Sequence, residues 1–297
     1  MIAAIESFGL SKRYRRAHAL RDFSINIPEG RVAGLIGRNG TGKTTLINLC
    51  AGLARPTSGE LRVLGETPAS ENVNLLADVA LVSQRRPLFG WMTVGDLLQM
   101  SGKLNRRWDK ALTQRSLEAI GIPSKRKAGQ LSDGERAQVC LVLALGKRPR
   151  LLMLDEPFAN VDPVARKSLM GLLLDRVAED GTTVLVSSHD IPGLELACDY
   201  IAVMADGQLQ VAGDLDHVLD DHRLVIGPRV SSEVVTRGAD VVELIQAERE
   251  TTALVRGIRR PPGRWEEHEV SLDQMVRAYM DNPGSGTLPL PSVLEGG

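Results

Sequence analysis

The chain has 297 residues, 43% of them hydrophobic and 25% charged, which suits one or two globular domains with a sizeable core and excludes the disordered and fibrous classes. Its 36 lysines and arginines nearly balance 37 aspartates and glutamates, a net charge of −1, so no basic field points to nucleic acid and no such partner is expected. Three widely separated cysteines, Cys50, Cys140 and Cys198, read as buried reduced thiols of a cytoplasmic protein; Met1 to Phe8 lacks the character of a signal peptide, and no stretch reaches the roughly 18 apolar residues of a membrane span.

From the N-terminus, residues 2–10, 19–30, 31–37 and 59–66 read as short strands set apart by turn residues, with a helix over about Gly42 to Ala51 before the last of them. The basic run Lys12 to Arg16 reads as solvated surface. Between the third strand and the helix, "GLIGRNGTGKTT" carries G-x-x-x-x-G-K-[ST] as Gly37, Gly42, Lys43 and Thr44. Missing Cβ atoms let successive backbone N–H groups curl toward phosphate oxygens, and the helix start adds its positive dipole end. Gly37, Arg38, Asn39, Gly40, Thr41, Gly42, Lys43, Thr44 and Thr45 are therefore the candidate cradle for the triphosphate of ATP, with Lys43 reaching its β- and γ-phosphates and the Thr44 hydroxyl ligating Mg²⁺.

Residues 79–84, "VALVSQ", form a further strand, and from Thr93 to Leu145 the pattern turns helical, as a helical subdomain inserted at about 85–148. At its start Pro87, Leu88, Phe89 and Trp91 fit either a docking surface or a buried satellite cluster. Ser132 with Glu135 three residues on reads as a capping box ahead of an apolar helix. In "LLMLDEP", residues 151–157, four apolar residues cross the sheet and Asp155 emerges at the carboxyl end, placed for Mg²⁺, with Glu156 placed to polarise an attacking water. Ala165, Leu169, Leu172, Leu173 and Val177 recur at helical spacing, "TTVLVSSH" is another buried parallel strand, and residues 200–214 form a hairpin turned at Asp206-Gly207. After about His222 the periodicity weakens; residues 259–269 suggest a loop, Ser271 to Tyr279 a last helix, and 282–297 a mobile tail.

Ser132 lies 23 residues before Asp155, and Lys43 lies 112 before it. At that spacing the sequence resembles the ATP-binding cassette (ABC) ATPases, whose signature L-S-G-G-Q stands here as Leu131-Ser132-Asp133-Gly134-Glu135. The resemblance covers about residues 4–220 and implies an α/β fold: a P-loop NTPase core with a mainly parallel sheet, an N-terminal antiparallel β subdomain and the inserted helices, followed here by a small C-terminal α+β extension. The expected division is 1–222 for the ATPase domain and 223–297 for an accessory domain.

Further roles follow from the resemblance. Tyr14 looks like the aromatic that stacks on adenine, Gln84 like the glutamine that touches Mg²⁺ and the nucleophilic water, and His189 like the histidine that senses the γ-phosphate. Asp162, in the "ANVD" loop after Glu156, completes the set, and Ser132 and Gly134 would bind the γ-phosphate held by a second cassette. Each has an ordinary reading beside it: Tyr14 as a surface aromatic, Asp162 as an N-cap before Pro163, His189 as a satisfied strand-end histidine. Asp133 and Glu135 depart from the signature, and two carboxylates near a γ-phosphate would repel it unless they point away.

The implied partners are a membrane-spanning permease and a second cassette, as a homodimer or a paired ABC subunit, with the chain peripheral on the inner face of the cell membrane. Residues 267–280, "EHEVSLDQMVRAYM", resemble the ending of ATPases that serve drug, antibiotic or lipid exporters. An importer subunit and a soluble ABC mechanoenzyme of DNA repair or translation are the alternatives.

Overall fold

A computed structural model describes residues 3–191, 194, 195, 197–230, 232–257, 261 and 263–285. Strand β1 (Ala3–Tyr14) turns at Arg15-Arg16 into β2 (Ala17–Pro28), its antiparallel neighbour. β3 (Val32–Ile36), buried at every residue, runs through the glycine-rich loop into α1 (Lys43–Cys50), and β4 (Ser58–Val63) then pairs with the other edge of β1. These make a three-stranded sheet ordered β2-β1-β4.

Helix α2 (Val73–Asp78) leads to β5 (Val79–Val82), after which the helical segment comprises α3 (Val94–Leu104), α4 (Lys110–Ala119) and α5 (Asp133–Gly146). β6 (Leu151–Asp155), α6 (Pro163–Asp180), β7 (Thr183–Ser188), β8 (Tyr200–Ala205) and β9 (Gln208–Asp214) complete a second sheet ordered β5-β6-β7-β3-β8-β9, parallel except for β9. Its apolar runs are continuous because both faces are covered. Leu151 and Met153 join a core with α1 and the three-stranded sheet, whereas Leu152 and Leu154 join one with α5 and α6. A separate core, with Val94, Leu97, Leu117, Val139 and Val142, holds the helical segment together. On α6 the expected face is buried at Ala165, Leu169 and Leu173, while Leu172 and Val177 are half-buried at its margin.

The C-terminal region departs most from its sequence pattern. After α7 (Leu215–Asp220) come β10 (His222–Pro228), α8 (Ser232–Gly238), β11 (Asp240–Gln246), β12 (Glu250–Arg256) and β13 (Glu266–His268), an antiparallel sheet ordered β11-β12-β10-β13. The stretch read as a loop thus contains a strand, whose exposed Glu266, Glu267 and His268 hide its pairing with Leu224 to Ile226. The core of this sheet is small, built on Val225, Val235, Ala239, Ala253 and Val255, so its alternation is faint. The last helix, α9 (Leu272–Asp281), starts at a Ser271–Gln274 capping box and buries Leu272, Met275, Val276, Ala278 and Tyr279 against the main core. The tail expected over 282–297 lies, from residue 286, outside the described residues.

Cys50 and Cys198 are buried free thiols, whereas Cys140, expected to be buried as well, is half-buried on α5; burial pushes them up to about 12, 12 and 11, which suits unreactive side chains. Among the described residues no helix is long and apolar enough to cross a membrane.

α9 is fastened by buried His222, which meets the Val218 carbonyl at 2.6 Å through Nδ1 and the Tyr279 hydroxyl at 2.7 Å through Nε2. The carbonyl can only accept, so Nδ1 carries the proton and Nε2 accepts from Tyr279. Burial lowers the His222 pKa below its ordinary 6.5. The unfolded chain then takes up more protons on acidification, so the contribution of His222 is complete above about pH 6.5 and is lost as pH falls through the folded pKa. The thermal midpoint of the wild type is expected to fall more steeply between about pH 7 and 5 than that of His222→Gln; parallel slopes would contradict this.

Candidate active site

In the parallel sheet Ile36 lies beside Ser188 and Asp155 beside Ser187, so the carboxyl ends of β3, β6 and β7 deliver three loops to one edge. β5, next to β6, delivers the loop with Gln84 there too. The first loop is shaped by glycines that nothing else can replace. A Cβ on Gly37 would stand 2.6 Å from the Met204 carbonyl and from Thr41 Oγ1; Gly42 has φ 104° and a Cβ there would stand 2.4 Å from the Ala19 carbonyl. Thr41 Oγ1 donates to the Arg38 carbonyl at 3.0 Å, while Arg38, Asn39, Gly40 and Thr44 stay exposed and Thr45 half-buried. Helix α1 begins with no side-chain cap and no acidic residue in its first turn, leaving its opening N–H groups for an anion.

Lys43 is buried, its Nζ donating to the carbonyls of Gly37 at 2.6 Å and Arg38 at 3.2 Å and pairing with Glu156 Oε1 at 3.2 Å. His189 Nδ1 meets the other oxygen, Glu156 Oε2, at 2.9 Å. Glu156 Oε1 is buried without a hydrogen bond, so the charge of Lys43 is what compensates it. Thr44 Oγ1 donates to Asp155 Oδ1 at 3.2 Å, and Ser187 Oγ donates to the same oxygen at 2.8 Å while accepting from the Glu156 N–H at 2.9 Å. Glu156 holds a φ of 49°, a left-handed conformation uncommon for a side chain with a Cβ, at the point where its carboxylate turns back toward Lys43.

Lys43, Thr44, Asp155, Glu156 and His189, all singled out from the sequence, therefore come together. Others stand apart. Gln84 is exposed in the turn after β5 and makes no hydrogen bond to Thr44 or Asp155. Tyr14 is exposed at the end of β1 with the Lys12 ammonium 5.0 Å from its ring centre. Asp162 caps α6, accepting from the N–H groups of Val164 and Ala165 at 3.0 Å, and lies against Gly134.

Ser132 and Glu135 form the expected capping box of α5. No hydrogen bond joins Ser132 or Gly134 to the glycine loop among the described residues. The hydrogen bond from the Ser132 N–H, with Arg126 at 2.5 Å, holds the Glu135 carboxyl below its ordinary range. That carboxylate is thus spent on its own helix start rather than aimed outward as a bare charge.

Sequence reasoning missed two residues. Ser187 carried a faint signal, a hydroxyl interrupting an apolar strand. Arg86 carried none, because an arginine in a basic dipeptide is by default exposed; here it is 5% exposed. Phe89 and Trp91 are 55% and 76% exposed, with ring centres 6.2 Å apart, which excludes the buried-cluster reading for them. Beside them a groove of about 420 Å³ is lined by Leu53, Pro87, Leu88, Asn105 and Cys140.

The ABC transporter family model matches residues 20–159. The "ABC transporter ATP-binding protein YtrB" of Bacillus subtilis (strain 168) is 30% identical over 218 residues, 73% of this chain and 74% of the relative. The chain belongs to the ABC transporter ATP-binding proteins. As an ABC ATP-binding subunit it binds ATP and is an ATPase. The "Sulfate/thiosulfate import ATP-binding protein CysA 1" of Agrobacterium fabrum is 36% identical over 223 residues, 71% of this chain and 64% of that one. A solved ATP-binding subunit of an ABC transporter superposes with a TM-score of 0.66 at 25% identity, covering 73% of this ABC subunit and 92% of the other chain. ABC ATP-binding subunits work with membrane permeases.

Proposed function

We propose that this ABC subunit powers export through a separate membrane-spanning partner, from the cytoplasmic face of the membrane, by closing in pairs around two ATP molecules. The observation that carries the reading is the Lys43–Glu156–His189 arrangement at the mouth of the glycine loop. Residues Gly37 to Thr45 bind the triphosphate and Tyr14 stacks on adenine. Lys43 Nζ, which pairs with Glu156, is the cation a γ-phosphate competes for. Glu156 orients the water and takes its proton at a carboxylate oxygen, and His189 senses the γ-phosphate.

Thr44 and Asp155 offer converging hard oxygens, with Ser187 fixing one of them, a donor set that fits Mg²⁺; Gln84, on the loop after β5, would swing in as a further ligand. Mg²⁺, when bound, neutralises phosphate charge. Ser132 and Gly134 close on the partner's nucleotide, with Asp162 beside them. Residues 1–222 act as the ATPase domain and 223–297 as an accessory domain for dimer contacts or regulation.

The exposed Phe89 and Trp91, flanking the groove at Pro87 and Leu88, serve as the docking surface for the permease. A tagged full-length chain is expected to bring a multi-helix membrane protein out of detergent-solubilised membranes, and Trp91→Asp to reduce its yield about tenfold or more, as loss of an exposed aromatic anchor does. Equal yield would reject this surface.

Export is supported by the exporter-like ending at residues 267–280, built here as β13 and α9. Import is the second reading, favoured by the likeness to the sulfate/thiosulfate import protein. In vesicles reconstituted with the permease and with the ATP sites facing outward, export accumulates substrate inside; import, the opposite result, releases it.

A further inference from the structure

Arg86 is the least explained side chain near the site. It is buried, its φ is 45°, it pairs with no carboxylate among the described residues, and its Nε is buried without an acceptor. Each of these costs stability, so stability alone does not account for an arginine here. Its guanidinium is spent on backbone instead. Nη2 donates to the carbonyls of Glu156 at 3.3 Å, Pro157 at 2.8 Å and Ala159 at 2.9 Å, and Nη1 to that of Asp133 at 3.4 Å.

Three loops meet at this one group. Arg86 closes the turn that holds Gln84, its N–H donating to the Ser83 carbonyl at 3.0 Å. The carbonyls of Glu156, Pro157 and Ala159 belong to the loop that leaves β6 and runs on to Asp162. Asp133 is the first residue of α5, directly after Ser132. A planar fork with several fixed donors can gather carbonyls from separate segments, which an ammonium on a flexible stem cannot do at once. Glu156 also needs outside help, because its positive φ persists only where surrounding contacts hold it.

We propose that Arg86 is a positioning residue for ATP hydrolysis: by clamping the carbonyls of Glu156, Pro157 and Ala159 it sets where the Glu156 carboxylate stands, and it ties that loop to the start of α5. The inference rests on the reading of Glu156 as the water-orienting group. Arg86 touches neither the glycine loop nor Thr44, so it acts on turnover and not on nucleotide affinity.

The test uses the full-length chain as Arg86→Met, which keeps the stem and removes every donor, and Arg86→Lys, which keeps the charge and loses the fork. ATP affinity by calorimetry and KM are expected to stay at wild-type values, while kcat falls about tenfold to a hundredfold in Arg86→Met, the scale of an ångström-level misplacement. Arg86→Lys should recover part of that loss. Placed in a Glu156→Gln background, Arg86→Met should change the residual rate by less than about twofold, since the effect passes through Glu156. Wild-type kcat in both variants, or losses that multiply in the double variant, would overturn the proposal. If Arg86→Met does not fold, Arg86→Lys decides, with wild-type kcat counting against it. Full hydrolysis in Glu156→Gln alone marks the failure of the underlying reading instead, and the Arg86 proposal falls with it.

Discussion

Glu156→Gln is expected to bind ATP no more weakly than the wild type yet to hydrolyse it on the order of a hundredfold more slowly, or worse. Glutamine keeps the shape of the side chain, so the left-handed turn at residue 156, the Ser187 contact to its N–H and the Arg86 contact to its carbonyl all remain. What disappears is the ability to accept a proton from water. The affinity side of the prediction comes from Lys43, which pairs with Glu156 at 3.2 Å. An incoming γ-phosphate must win Lys43 from that carboxylate, and in the variant it competes only with neutral groups. Rapid-quench measurement of single turnovers separates hydrolysis from binding, and light scattering with ATP should show pairs that persist because cleavage is blocked. Turnover at the wild-type rate would remove Glu156 from the mechanism.

What was legible in the sequence is what local chemistry dictates. Residues 151–154 and 183–188 announced buried strands because alternate side chains feed two different cores and every position is apolar or small. The cradle at Gly37 and Gly42, the Ser132 cap and the tight turn at Asp206-Gly207 were equally readable, since each needs a particular residue within a few positions.

What remained hidden depends on contacts between distant segments. Ser187 serves Asp155 from 32 residues away, and Arg86 serves carbonyls at 156, 157 and 159 from about 70 away. Neither partner is visible in any local pattern. The C-terminal sheet was obscured for another reason. Its strands β10 to β13 cover a core of a few small valines and alanines, so the hydrophobic alternation that marks a half-buried strand is diluted by Glu, Thr and Arg on both faces. Arg38 shows distant segments meeting in the same way: this loop residue forms an ion pair with Asp281 at the end of α9, from more than 240 residues away in the chain.

Lys43→Ala is expected to cut ATP affinity by about a hundredfold or more, because charge-assisted bonds to phosphate have no substitute from backbone N–H groups alone. The same variant carries a second, separable effect. Lys43 and Glu156 have side chains 6% and 7% exposed, so deleting the lysine leaves a buried carboxylate whose remaining side-chain partner is His189. Removing one member of a buried pair costs about 3 kcal/mol or more, so Lys43→Ala should also melt at a lower temperature without any nucleotide present. The double variant Lys43→Ala/Glu156→Gln removes the stranded charge and should regain much of that stability while still binding ATP as weakly as Lys43→Ala. Calorimetric titration reads the first effect and nucleotide-free thermal unfolding the second. A wild-type dissociation constant in Lys43→Ala would reject the phosphate role. A double variant no more stable than Lys43→Ala would mean that the carboxylate at 156 finds water or His189 sufficient, and that the Lys43–Glu156 ion pair contributes nothing to holding the site together.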